Sequence, residues 1–210
     1  MAGARLTNAA GPDPGAVVHT VLSGKDATDR ELVERARGGN HWAEEVLYRR
    51  HSAFIVGLCT RLLRKCSEAD DVVQEAFVSA FERLGQLRDA SQFRSWLVSI
   101  AVRLVHRRLR RRKFQKLFQW STTNEDDPMS CIASMALTPE WTTELAKLDD
   151  ALNGLRDSDR VPWQLHYVEG CHMHEVAVLC QCSVSTAKRR IAHANAHIRK
   201  SLNYEEVYHE

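Results

Sequence analysis

At 210 residues the chain can hold one large domain or two small ones. A hydrophobic share of 44% permits a buried core, while no apolar run approaches the length of a transmembrane helix, so no membrane insertion is expected. The opening residues lack the apolar centre of a signal peptide, which makes a cytoplasmic location the expectation. The formal net charge is only +2, so an electrostatic role has to come from bunched charge and not from the sum.

Residues 1–27 are rich in Gly, Ala and Pro without a sustained period and are expected to form a disordered arm. Asp29 is the expected cap of a first helix with Leu32, Val33 and Ala36 inward, ended by Gly38 and Gly39. Asn40 caps a long second helix with a stripe of Ala43, Val46, Leu47, Phe54, Leu58 and Leu62. Ser67 is the expected cap of a third. Glu68, Asp70 and Asp71 occupy its first turn, where the helix dipole favours acids. Its Val73, Ala76, Phe77, Ala80 and Leu84 point inward and leave Asp71, Gln74, Glu75, Val78 and Glu82 outside.

The stretch 92–116, with Ser91 as its expected cap, departs most from a generic helical protein. Phe93, Leu97, Ile100, Leu104 and Leu109 make one apolar face. The rest carries Arg94, Arg103, Arg107, Arg108, Arg110, Arg111, Arg112, Lys113 and Lys116, with no Asp or Glu in the run. Like charges at i,i+4 repel by a few tenths of a kcal/mol (~0.2–0.5). An unrelieved basic face therefore points to a polyanion such as the nucleic-acid backbone. The six cysteines fall mostly inside helical patterns, which favours reduced thiols.

A polar, acidic stretch over 117–138 reads as a flexible linker. A second helical set follows over 139–203, and a tail over 204–210. Leu145, Leu148, Leu152 and Leu155 mark one helix; Val161, Leu165 and Val168 mark the next, closed by Gly170. A short helix then carries Val176, Ala177 and Leu179 inward. Gln181 and Cys182 lead to Ser183, the cap of a last helix striped by Val184, Ala187, Ile191, Ala194, Ile198 and Leu202. Two helices joined by so tight a turn form a helix-turn-helix. Its second helix presents Ser185, Thr186, Lys188, Arg189, Arg190 and His193 off the stripe, residue types suited to phosphates and base edges. The fold class is all-α, two small helical domains on a linker.

With both modules in view, the chain resembles an extracytoplasmic-function (ECF) sigma factor of the sigma-70 family. The run from Glu68 to Leu84 resembles the helix that docks on the polymerase clamp. The run from Phe93 to Ala101, leading into the Arg-rich tract, resembles the promoter-melting helix. Leu165 to Gly170, Glu175 to Ala177 and Ser183 to Lys188 resemble the carboxy-terminal sigma domain. The resemblance implies sigma domain 2 at 28–116, for clamp binding and −10 element recognition and melting, and sigma domain 4 at 139–203, for −35 element binding. Asp70, Asp71, Gln74, Glu75 and Val78 would meet the β′ clamp helices. Arg103, Arg107, Arg108, Arg110 and Arg111 would hold the melted strand. Trp96 is open to two readings, base stacking or core packing. Implied partners are RNA polymerase core (β′ clamp helices and β flap), promoter DNA and an anti-sigma factor, at the nucleoid when in holoenzyme; neither cofactor nor metal is implied. The melting helix departs from the family where Arg103 and Arg107 replace an Asn and an Asp, and the turn where Gln181 replaces a Gly.

Two other readings compete. A stand-alone helix-turn-helix regulator leaves 29–116 without a role. A zinc or redox sensor built on Cys171, His172, His174, Cys180 and Cys182 has suitable residue types, but only one residue separates Cys180 from Cys182, where structural zinc sites use about two to four. No Gly-rich phosphate loop, HExxH or nucleophile elbow points to an enzyme.

Overall fold

The computed structural model describes residues 27–118 and 139–202, and among these residues all regular structure is helical. The expectations for the arm at 1–27 (all but Ala27), the linker at 117–138 (all but residues 117 and 118, which continue α4) and the tail fall outside them. Four helices form an amino-terminal bundle: α1 (Asp29–Arg37), α2 (His41–Leu63), α3 (Cys66–Glu82) and α4 (Phe93–Phe118). Four more form a carboxy-terminal bundle: α5 (Pro139–Asn153), α6 (Asp157–Tyr167), α7 (Met173–Leu179) and α8 (Val184–Ser201).

The start of α1 differs from expectation by one residue. Thr28 is the cap: its hydroxyl accepts from Glu31 N at 3.3 Å and its own N–H donates to the Glu31 carboxylate at 2.8 Å. That reciprocal pair is a capping box. Asp29 is thereby freed to reach α2, where it accepts from Arg50 at 2.6 Å and meets His51 Nε2 at 2.9 Å. Asn40 caps α2 as expected, accepting from Ala43 N at 3.2 Å. Buried Ala43, Leu47, Ile55, Leu58 and Leu62 recur at helical spacing along α2, while Val46 and Phe54 are half-buried on its shoulder.

α3 begins one residue before Ser67, and Lys65 in the cap position makes no side-chain cap bond. Cys66 opens α3 and is disulfide-bonded, a correction to the expected reduced thiols. It is half-buried at an open helix start, whereas free Cys59 lies wholly inside the core. Between α3 and α4 two 3₁₀ turns cover Leu84–Gln86 and Ala90–Gln92. Asp89, not Ser91, is the cap there, accepting from Ser91 N at 3.0 Å and Ser91 Oγ at 2.7 Å. Phe93, wholly buried, then starts α4 with ring contacts to His51, Phe81 and Trp96 at 5.4, 6.5 and 6.4 Å.

In the second bundle α8 packs on α6, α7 and α5 through Ala187, Ile191, Ala194 and Ile198, all buried. Leu145 and Val168, expected inward, stay exposed. Val168 lies past the end of α6, where the chain turns away. Ser183 caps α8 as expected, accepting from Thr186 N at 3.2 Å. Gln181 sits in the left-handed region at φ 52°, at a cost of roughly 1–2 kcal/mol for a non-Gly residue.

Phe93→Ala should cost the amino-terminal bundle about 3–5 kcal/mol. Ser183→Ala should cost the other about 1 kcal/mol. Urea unfolding followed by bundle-specific fluorescence checks both, and equal losses would contradict the assignment of Phe93 as the core's central ring.

Candidate functional site

Three surfaces gather the candidate residues. The first lies on α3, whose Asp70, Asp71, Gln74, Glu75 and Val78 are all exposed, as the helical period requires. Of these, Asp70, Gln74 and Val78 border an open groove of about 510 Å³, walled on the other side by Tyr48 and Val56 of α2 and floored by Phe77 and Phe81. Tyr48 and Val56 were not among the sequence candidates. They lie off the core stripe of α2, and an outward Tyr on an amphipathic helix was the available signal. Exposed apolar side chains beside carboxylates suit a partner that is both basic and amphipathic.

The second surface is the basic face of α4, and here the sequence reading needs correcting. The face is not unrelieved. Arg107 pairs with Glu75, Arg108 Nη2 with Asp71 at 3.1 Å, and Arg112 with Glu68 at 2.7 Å. The partners run in opposite directions along the two helices, so α3 and α4 lie antiparallel with their charges in register. No acid within α4 could reveal this, because the acids come from a neighbouring helix. Arg103 folds back on its own helix, donating to Ser99 O at 3.0 Å. Arg110 and Arg111 are exposed and form no ion pair among the described residues. Trp96 is half-buried and packs on Phe93 at an interplanar angle of 52°, so the core claims one face of its ring.

The third surface is α8. Ser185, Lys188, Arg189 and His193 are exposed; Thr186 and Arg190 are half-buried. The hydroxyls of Ser185 and Thr186 lie 3.1 and 2.9 Å from Ser183 Oγ, so the cap network occupies them. His193 Nδ1 is held 3.1 Å from Asp159, a buried carboxylate of α6. Among the candidate cations Lys188 and Arg189 are exposed, while half-buried Arg190 lies near His106 of α4.

The Cys/His stretch does not assemble. Among the described residues no three His, Cys, Asp or Glu side chains converge in a way that could hold a metal ion. Burial pushes the Cys180 thiol up to about 12, and thiolate is the form that ligates metal or reacts. His172 serves instead as the cap residue of α7, its N–H donating to Glu175 at 2.7 Å. No helix among the described residues is long and apolar enough to cross a membrane.

A family model, sigma-70 region 2, matches residues 47–115, which run from α2 to α4. The ECF RNA polymerase sigma-E factor of Haemophilus influenzae is 28% identical across 83% of this chain and 95% of that protein. The RNA polymerase sigma-H factor of Pseudomonas aeruginosa is 31% identical across 83% of this chain and 93% of that protein. The chain belongs to the ECF sigma factors of the sigma-70 family. It is accordingly an alternative sigma factor. Among solved structures, CnrH in complex with the cytosolic domain of CnrY aligns with a TM-score of 0.55 at 24% identity, covering 85% of this chain and 99% of that one. The sigma factor RpoE in complex with the anti-sigma factor NepR, from Bartonella quintana, aligns with a TM-score of 0.56 at 17% identity, covering 77% and 98%. Both are likenesses of fold.

One titratable group of this sigma factor lies where the bundles meet. His106 of α4 is half-buried, and its Nε2 has no hydrogen-bond partner. Burial holds its pKa below the ordinary 6.5; Arg110 and Arg190 add to this and Asp157 opposes it. A histidine whose pKa is lowered by packing favours the packed state above the ordinary value. That contribution is lost as pH falls below 6.5 through the depressed pKa. The His106 imidazole should therefore titrate below 6.5 in an NMR pH series; a midpoint at or above that value would contradict the packing.

Proposed function

We propose that this sigma factor binds RNA polymerase core through α3 and directs initiation by holding two promoter elements, one with each bundle. The observation that carries the reading is the back-to-back arrangement of an acidic, part-apolar α3 face and a cationic α4, on a chain that also bears a cationic helix-turn-helix. A polymerase that cannot select a start site needs a subunit that joins a protein-docking face to a DNA-reading one.

Asp70, Asp71, Gln74, Glu75 and Val78, with Tyr48 and Val56 beside them, suit the amphipathic clamp helices of the β′ subunit; the carboxy-terminal bundle would engage the β flap. Arg103, Arg107, Arg108, Arg110 and Arg111 supply cations for the melted −10 strand, with Trp96 at the margin as a stacking surface. Ser185, Thr186, Lys188, Arg189, Arg190 and His193 face the −35 duplex. The domain limits follow the same reading: 28–116 and 139–203, with 117–138 as tether. The bacterial cytoplasm is the site of action, and the protein has no catalytic residue of its own. An anti-sigma partner is part of the proposal, supported by a structural neighbour that was solved with one.

In vitro transcription with bacterial core polymerase and a genomic promoter library tests the reading, and the absence of start-site-specific transcripts would overturn it. Lys188→Ala should weaken −35-element binding by about 1–3 kcal/mol if the side chain reads a base, and an unchanged footprint contradicts that role. Replacing Arg110 and Arg111 together should lower the slope of log affinity against log salt by about 1–2 at every promoter alike. A slope left intact would remove both from the DNA backbone.

A further inference from the structure

The outward side of α4 carries an aromatic ring near its carboxyl end. Phe114 is 62% exposed, whereas the other described apolar side chains of this helix are buried or half-buried. Helical phase sets the ring among cations. At 3.6 residues per turn, Arg103, Arg107, Arg110 and Arg111 all fall within about 60° of Phe114 around the helix axis. Arg110 and Arg111, one turn before it, are exposed and form no ion pair among the described residues. Trp96 has the same phase as Phe114, about five turns or 27 Å earlier.

The two aromatics differ in what already touches them. Trp96 is half-buried and packs on Phe93. Among the described residues no ring packs on Phe114 and no guanidinium stacks over it. Cations alone call for phosphates, and duplex or single-stranded DNA supplies those alike. An open ring between the cations discriminates. In a duplex the base faces are stacked on one another and out of reach. A single strand offers a π-face beside each phosphate, and a neighbouring guanidinium strengthens the stack.

We propose that Phe114, with Arg110 and Arg111, is a second single-strand contact of α4: the ring stacks on an unpaired base while the two arginines hold the adjoining phosphates. The inference rests on the proposed function and deepens it, since that reading gives α4 the melted strand with Trp96 as its stacking surface. Every base has a π-face, so the contact is tolerant of sequence. Phe114 therefore adds affinity for separated DNA without adding to promoter choice.

Fluorescence anisotropy tests this with the full chain and a labelled, mixed-sequence DNA single strand of about 16 nucleotides, set against the same sequence as duplex. The wild type should prefer the single strand. Phe114→Ala should weaken single-strand binding about tenfold and leave duplex binding unchanged. Phe114→Leu, apolar but without a π-face, should lose as much, and Phe114→Trp should bind at least as tightly as the wild type. No charge is removed, so the slope of log affinity against log salt should stay constant in all three variants. Circular dichroism should show helicity kept, because so exposed a side chain holds nothing in place. Equal losses on duplex and single strand, an altered salt slope, or a leucine variant that binds like the wild type would each overturn the proposal. So would a Phe114→Ala variant that binds DNA normally but has lost core polymerase, which would give the ring to a protein partner. Single-strand binding through Phe114 without start-site-specific transcripts would leave the stacking contact standing and sink the initiation role. Such transcripts with a Phe114→Ala affinity equal to wild type would do the reverse.

Discussion

The left-handed cap residue Arg64 closes only Thr60 O at the end of α2, so the carbonyls of Arg61, Leu62 and Leu63 must find donors elsewhere, and they find them on α4 and α6. The rest of the architecture turns on that constraint. Along its length α2 is the common wall of the amino-terminal bundle, packing against α1, α3 and α4. At its tip it becomes the seat for α6. One element therefore sets both the internal geometry of the first bundle and the place where the second docks. The carbonyls of Arg61 and Leu62, which accept from α6, tie the two bundles together at that tip, while Leu63 O is closed by Arg112 of the first bundle's own α4.

The ion pairs of this chain fall into two kinds with different consequences. Those between α3 and α4 at Asp71 and Glu75 are exposed, at 68% and 45% for the carboxylate side chains. Such pairs contribute about 0–1 kcal/mol and exchange readily for another partner. Those between α2 and the second bundle are more enclosed: Arg64 and Asp149 are 9% and 13% exposed, and Glu169 is 6% exposed although its partner Arg61 is 36%. Losing one member of a buried pair leaves an uncompensated charge, at about 3–5 kcal/mol. The outer carboxylates and their arginines can exchange partners without unfolding anything. The inner ones hold the two bundles together.

Much of this was legible in the sequence, for a local reason. Asn40 and Ser183 announce their helices because a cap is a bond between residues three apart. The stripes of α2, α3 and α8 follow from period alone. The start of α1 was missed by one residue because two capping residues stand side by side and tertiary contacts choose between them: Asp29 is drawn to Arg50 and His51, so Thr28 caps. The caps at Lys65 and Asp89 lie two residues before the expected Ser67 and Ser91. What stayed hidden spans long separations. Glu68 meets Arg112 across 44 positions, and Gln164 meets Arg61 across 103. No helical period carries such a pairing, so a run of arginines that looked bare was in fact neutralised at Arg107, Arg108 and Arg112.

That neutralisation also divides labour along α4. Arg108 and Arg112, one turn apart, share the side that faces α3, and both are tied to Glu68. Arg103 and Arg110 are two turns apart and share another side, with Arg111 next to it; none of the three pairs with a carboxylate among the described residues. Arg107 stands between, paired with Glu75 but 62% exposed in its side chain. If the helix grips a nucleic-acid backbone, the grip falls first on Arg103, Arg110 and Arg111. Arg107 is recruited when Glu75 finds another cation, and Arg108 and Arg112 remain part of the bundle that presents them. On the proposed reading an acidic α3 would serve twice over: it would shape what a protein partner sees and select which arginines of α4 are left for DNA.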